Sequence, residues 1–406
     1  MRYCLRQRKL NMMKTPGITF LVLALSLTQA VRAGSVSGQT PPGDDTLETR
    51  KTDTLPGEVA LRGQLSTWTG AGIRSVSAGL RYLPQIDLRI GNPPGSPGFR
   101  FEGEVAGNIY AHYGREEGIA GKDFRVRLYR AWVRFAGPRS ELRIGLQKIN
   151  FGSALMLRPL MWFDSMDPRD PLQLTEGVWG ALGRYYFSNN ANLWVWGLLG
   201  NDEQRPWDTG LSSAQVPEFG VRLQLPLATG SAGFTFHRRK TQWQDLFENR
   251  YGLDFRLDYA IGFWAETVWI NKRGAAGIVT NQQLFMAGAD YTFDVSNGLN
   301  VTVEHMLISH SEKPFDLGDR CHMSALSLNY PLGLWDSIGY IFYYDWKRKG
   351  AYNFVRWKHT LGFGDLYVMA YVNPDVSVLP DNSNTVGSLP GKGIRLMLVL
   401  DHMVKQ

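Results

Sequence analysis

The sequence predicts an all-β chain, a transmembrane antiparallel β-barrel of about 18 strands with 16 as the alternative count, and three observations point there. First, from about residue 58 onward, runs of roughly ten residues alternate apolar and polar side chains and then break at a turn. In a strand, successive side chains point to opposite faces. Tyr251, Leu253, Phe255, Leu257 and Tyr259 therefore share one face, with Asp254, Arg256 and Asp258 on the other. Second, these runs exceed the about 5–6 residues usual in soluble sheets, and their apolar faces are rich in aromatics. Third, an export signal precedes them. A barrel with its oily face in lipid and its charged face around a lumen satisfies all three.

The export signal reads from Met13-Lys14 through the apolar run Ile18–Leu27 to Ala30-Val31-Arg32-Ala33. Val31 and Ala33 are the small residues a signal peptidase requires, so residues 1–33 are expected to be a signal peptide cleaved after Ala33. Residues 1–12 read alternatively as an upstream start. Residues 34–57, rich in Thr, Pro, Asp and Gly without periodicity, are expected to be a flexible periplasmic lead-in. The barrel is expected over residues 58–406.

The net charge of +7 belongs to the signal: six of the 44 basic residues lie in residues 1–33, and the remaining 38 face 37 acids. Overall basicity is thus no argument for nucleic acid. Cys321 is the one cysteine after the signal, so no internal disulfide is expected. No run of 18 apolar residues follows the signal, which excludes a membrane-spanning helix but not spanning strands.

Strands are expected to begin near Glu58, Val76, Phe99, Lys122, Glu141, Glu176, Asn192, Pro217, Ser231, Asn249, Ile261, Asn281, Leu299, Arg320, Asp336, Tyr352, Asp365 and Gly391. Short turns such as Gly137–Ser140, Ser188–Ala191 and Ser296–Gly298 alternate with long connections such as Ala154–Thr175, Asn201–Val216 and Asn373–Pro390. That asymmetry is expected of periplasmic turns and extracellular loops. One strand breaks phase: Phe124, Val126 and Leu128 share a face that Tyr129, Ala131, Val133 and Phe135 leave. A β-bulge would reconcile them.

Parity turns a mixed set of charges inward. Arg125 and Arg127 are the first candidates for a path taken by anionic or hydroxyl-rich solutes, because guanidinium groups bind carboxylate and phosphate at two points. Arg143, Gln147, Arg184, Arg222, Arg256, Asp254 and Asp258 complete the expected pore lining. The bland reading, that most of these charges pair across strands, applies to the same residues. Next to Gly152 comes Arg158-Pro-Leu-Met-Trp-Phe-Asp-Ser-Met-Asp-Pro-Arg-Asp-Pro171, too polar and proline-rich for a strand yet carrying Met161, Trp162 and Phe163. Apolar groups in a loop seek cover. Arg158, Trp162, Asp164, Asp167, Arg169 and Asp170 are therefore expected on a constriction loop folded into the lumen, the alternative being an extracellular cap. The three aspartates suit calcium or Asp-Pro turns equally.

The strand Leu142–Gly152 with Arg-x-Gly-x-Gln, followed by Asp-x-x-Asp-Pro-x-Asp-Pro, resembles Gram-negative outer-membrane porins similar to the alginate-export and phosphate-selective groups. The resemblance implies a channel of 16 or 18 strands in the outer membrane, without naming its cargo. Its partners would be outer-membrane lipid, small solutes and the barrel assembly machinery, with a homotrimer possible in such families. No cofactor or metal motif is present, and no nucleotide fingerprint. Glu304, His305 and His310 have poor metal spacing, and no hydrolase pattern emerges. The alternative to a channel is a non-conducting barrel acting as surface anchor or assembly partner.

Overall fold

The computed structural model describes residues 57–73, 75–92, 98–208, 210–242, 246–273, 280–374, 389 and 391–405. The expected signal peptide and all but the last residue of the lead-in lie outside the described residues.

Eighteen strands run in chain order. They are β1 (Gly57–Gly72), β2 (Ser75–Gly91), β3 (Arg100–Glu116), β4 (Ile119–Ala136), β5 (Ser140–Gln147), β6 (Val178–Tyr186), β7 (Asn192–Leu198), β8 (Glu218–Leu227) and β9 (Gly230–Lys240). The second half holds β10 (Phe247–Asp258), β11 (Gly262–Arg273), β12 (Asn281–Phe293), β13 (Leu299–Ser311), β14 (Asp319–Pro331), β15 (Asp336–Asp345), β16 (Gly350–Leu361), β17 (Gly364–Val372) and β18 (Lys392–Lys405). Every observed strand starts within about three residues of its expected position. The count is 18, not 16.

Each strand pairs antiparallel with its chain neighbours, and β1 pairs with β18 from Ala60↔Lys405 to Gly72↔Gly393, closing the sheet. Closure removes the edges whose unpaired backbone groups lipid could not satisfy. Alternation fixes the faces: Leu253 is 57% exposed whereas its neighbour Asp254 is 5% exposed. Phe124, Val126, Phe219, Phe263 and Ile394 are likewise exposed on the outward phase.

The phase break in β4 is a bulge. Ala106 on β3 faces Arg130 while Gly107 faces Leu128, which leaves Tyr129 as the extra residue. Beyond it Ala131, Val133 and Phe135 return to the face of Leu128, and Arg130 and Arg134 turn inward.

Wall height is uneven. β1–β4 have 16–18 residues each, and β3 runs into β4 through a two-residue turn with Glu117 at φ 49° and Gly118 at φ 88°. That conformation matches a hairpin's twist. β5, β6 and β7 have only 8, 9 and 7 residues. The connection from β5 to β6 folds into the barrel. Ile149, Phe151, Leu157, Leu160, Met161, Trp162 and Phe163 from it share one apolar cluster with Trp196, Trp264, Val268, Leu284, Met286, Met306 and Tyr343 from the wall. Each large side chain removed from water this way contributes roughly 1.5–3 kcal/mol.

Candidate channel constriction

Two wall carboxylates hold the lumen loop, residues 148–177. Glu266 on β11 accepts the backbone N–H groups of Ser153 (2.6 Å), Ala154 (2.7 Å) and Leu160 (3.2 Å). Glu304 on β13 accepts those of Leu155 (2.7 Å), Met156 (3.0 Å) and Leu157 (2.6 Å), along with the Trp264 indole (3.1 Å). A loop in an apolar interior has no ladder to satisfy its backbone, so these side chains supply the acceptors. Gly152 turns the chain at φ 96°, and a Cβ there would sit 2.5 Å from Glu266 Oε1. Only glycine fits both demands.

Within the loop, Arg158 makes a two-point pair with Asp164 (3.0 and 2.7 Å) and also donates to Asn150 Oδ1 (3.1 Å). Arg169 pairs with Asp167 (2.6 Å) and lies over the Phe354 ring. Asp170 accepts the N–H groups of Leu172 and Leu174, an Asx-type turn. The three aspartates thus serve three different purposes, and Trp162 packs edge-on against Phe151.

The loop crosses the lumen. Leu172 packs with Trp68, Tyr110, Tyr367, Met369, Met397 and Val399 on the opposite wall. There Asp170 interacts electrostatically with Arg81 of β2, Arg356 of β16 and Arg395 of β18. Burial pushes the Asp170 carboxyl up to about 6. Arg81 is 2% exposed and lies over Trp68 and Tyr110, and its Nε and one terminal nitrogen have no hydrogen-bond partner among the described residues.

The expected pore-lining residues all take the inward phase, but in different surroundings. Arg184 pairs with Glu141 (2.9 Å) in a chain of charges that runs Glu58, Arg89, Glu102, Arg134, Glu141 and Arg184 across β1–β6. Arg143 lies over Trp132, and Gln147 is fully buried against the Arg143 and Gly180 carbonyls. Arg222 and Asp254 form a buried two-point pair (2.6 and 2.9 Å) beneath Phe151. Arg256 pairs with Asp258 (2.8 Å). Arg125 pairs with Asp123 (2.5 Å) and lies opposite Tyr110 in the β3–β4 register, and Arg127 stands 3.7 Å from Glu176 and 3.5 Å from Glu203. Burial, then the neighbouring Glu203 carboxyl, pushes Glu176 up to about 7, and the hydrogen bond from Glu176 lowers Glu203.

Parity reasoning passed over Arg130, because the bulge inverts its phase; it donates to the Thr175 carbonyl of the loop (2.7 Å). It also passed over the connection from β7 to β8, expected as an outer loop. Its Trp207 joins the apolar cluster and donates to the Arg158 carbonyl (2.9 Å), and Asp208 accepts from Arg239 (2.8 Å) and Arg250 (2.6 Å). A Trp-Asp pair inside a polar loop was the available signal. Glu304 and His305 point to opposite faces; His305 lies outside, 2.9 Å from Ser324 Oγ and 3.2 Å from His322.

No protein-family model matches the sequence, and no curated protein matches it. Solved structures do match in shape. Pseudomonas aeruginosa OccD3 (OpdP) is similar at TM-score 0.56 and 11% identity, over 86% of this chain and 91% of that one. Acinetobacter baumannii OccAB1 is similar at TM-score 0.55 and 11% identity, over 86% and 96%. Pseudomonas aeruginosa OccK9 (OpdG) is similar at TM-score 0.55 and 10% identity, over 86% and 98%. This chain has the closed 18-stranded fold of the Occ outer-membrane porins.

Proposed function

We propose that this protein is an outer-membrane channel through which small anionic or hydroxyl-rich solutes, saccharides among them, diffuse past the lumen loop. The observation that carries this reading is the placement of Asp170, on a loop that crosses the lumen, against Arg81, Arg356 and Arg395. Asp170, Arg81 and Arg395 are buried where the loop meets the wall, so they act on a passing solute through their field, and the arginine excess favours anions. The cross-strand ion pairs nearer the short turns wet the wall without strong preference.

Purified protein in planar bilayers tests it. Discrete conductance steps with anion preference, reduced in Arg81→Ala, are the expected result. A folded barrel that stays silent would overturn the channel and favour the second reading, a non-conducting surface anchor. The observation behind that reading is the apolar packing of residues 149–163 against the wall. Release of fatty acid from lipid by purified protein would speak instead for an enzyme.

A further inference from the structure

Wall pairing stops early on one side of β4. Its residues 131–136 pair with β5, while residues 119–130 have no strand partner on that side among the described residues. The bulge at Tyr129 sits where the pairing ends. An eight-residue strand such as β5, tilted about 40°, climbs only about 20 Å, short of the about 25 Å apolar band of an outer-membrane barrel. The break therefore reaches down into the outer edge of the membrane layer. Backbone without ladder partners at that depth is tolerated where it lines a wet cavity.

A cavity of about 210 Å³ occupies the break. It is lined from both faces of the wall: Asn108 and Arg127 have the inward phase, Leu128, Leu146 and Trp179 the outward. Trp179 is 43% exposed at the long-loop end of β6, where an interfacial aromatic belongs. The polar end carries both signs, with Arg127 and Arg205 beside Glu176, Asp202 and Glu203. Asn108 is 8% exposed and its Oδ1 lacks a hydrogen-bond partner among the described residues. A buried acceptor left empty costs about 1–3 kcal/mol. The site thus holds one unfilled acceptor at its polar end and presents an apolar wall below it.

We propose that this notch between β4 and β6 is a lateral binding site for a single-chain amphiphile, with an uncharged or zwitterionic head that donates hydrogen bonds to Asn108 and a tail lying along Leu128, Leu146 and Trp179. The mixed charge at the mouth gives a carboxylate head no Coulomb advantage, whereas a hydroxyl or ammonium group fills the empty acceptor. The site stands on the barrel wall and does not depend on whether the lumen conducts.

The test uses the full chain in lipid nanodiscs with three diazirine-tailed probes: an alkyl glucoside, a lysophosphatidylethanolamine and a fatty acid. Cross-links are mapped by mass spectrometry. The first two probes are expected to label Leu128, Leu146 and Trp179 well above Leu253 on β10, and the fatty acid to do so less. Asn108→Leu is expected to lower that enrichment about five-fold, one hydrogen bond's worth, while labelling at Leu253 stays constant. Constant Leu253 labelling also reports a folded variant; if it changes, Asn108→Ser, which keeps an acceptor and is expected to retain the enrichment, decides. Even labelling around the belt would overturn the proposal. So would enrichment indifferent to head group and to Asn108→Leu, since the break would then be a crevice for any tail.

Discussion

Glu304 and Leu157 meet at 2.6 Å across the lumen, a wall carboxylate accepting the backbone N–H of a loop residue 147 positions away. With Glu266 performing the same task nearby, the loop is held through its backbone as well as through its apolar side chains. Glu266→Ala with Glu304→Ala would leave six loop N–H groups without their acceptors. Each buried orphan costs about 1–3 kcal/mol, so the loop should detach. The expected outcome is larger, noisier single-channel current and faster proteolysis within residues 148–177. An unchanged trace would show that apolar packing alone holds the loop.

Asp170 makes the crossing point sensitive to acid. With its carboxyl pushed up to about 6, against 3.8 for an ordinary aspartate, the charged form is the disfavoured one in the folded protein. Its contribution to stability is full below the ordinary value and is lost as pH rises through about 6. Above that point the loop presents a negative charge to Arg81, Arg356 and Arg395; below it the arginines are unopposed. Anion preference, read as reversal potential, should therefore rise from about pH 7.5 to about pH 5. Asp170→Asn should fix the acid value at both. A step that survives in the variant would assign the titration elsewhere.

Arg125 and Arg127 have acidic neighbours of their own, Asp123 for one and Glu176 with Glu203 for the other. Exposed pairs of this kind are worth about 0–1 kcal/mol. Arg125→Ala and Arg127→Ala should shift ion selectivity less than Arg81→Ala does. The opposite ranking would move the selective point from the Asp170 contact to β4.

Asp208 accepts from both Arg239 and Arg250, and all three are buried. Removing one partner of a buried ion cluster typically costs about 3–5 kcal/mol, because the remaining charges lose compensation. Asp208→Ala should lower the urea midpoint of the folded barrel accordingly. Asp208→Ala with Arg250→Met should recover part of that loss. Additive losses would mean the two residues do not share one network.

Strand number, register parity and the inward lumen loop were legible in the residues, since alternation and turn spacing are local properties. Depth was not. Arg222 and Arg81 have identical parity, yet one lies under Phe151 beside Asp254 and the other against Tyr110 opposite Asp170. What covers an inward side chain is a loop distant in sequence, and alternation carries no information about it. Arg130 was hidden for a different reason: one supernumerary residue, Tyr129, reverses the count, and parity is only as good as the count. The inward turn of Trp207 and Asp208 rests on Arg239 and Arg250, two strands further along the barrel wall.

The seam between β1 and β18 has a kinetic consequence. Ala60 lies opposite Lys405, so the first ribbon of the wall waits for the last before it gains its second neighbour. Contacts this remote in sequence are slow to form. Until they do, both ribbons offer bare amide rows to any other chain nearby. Shutting the cylinder is thus the late, all-or-nothing event of its maturation, and the interval before it is when this polypeptide is most prone to merge with a stranger.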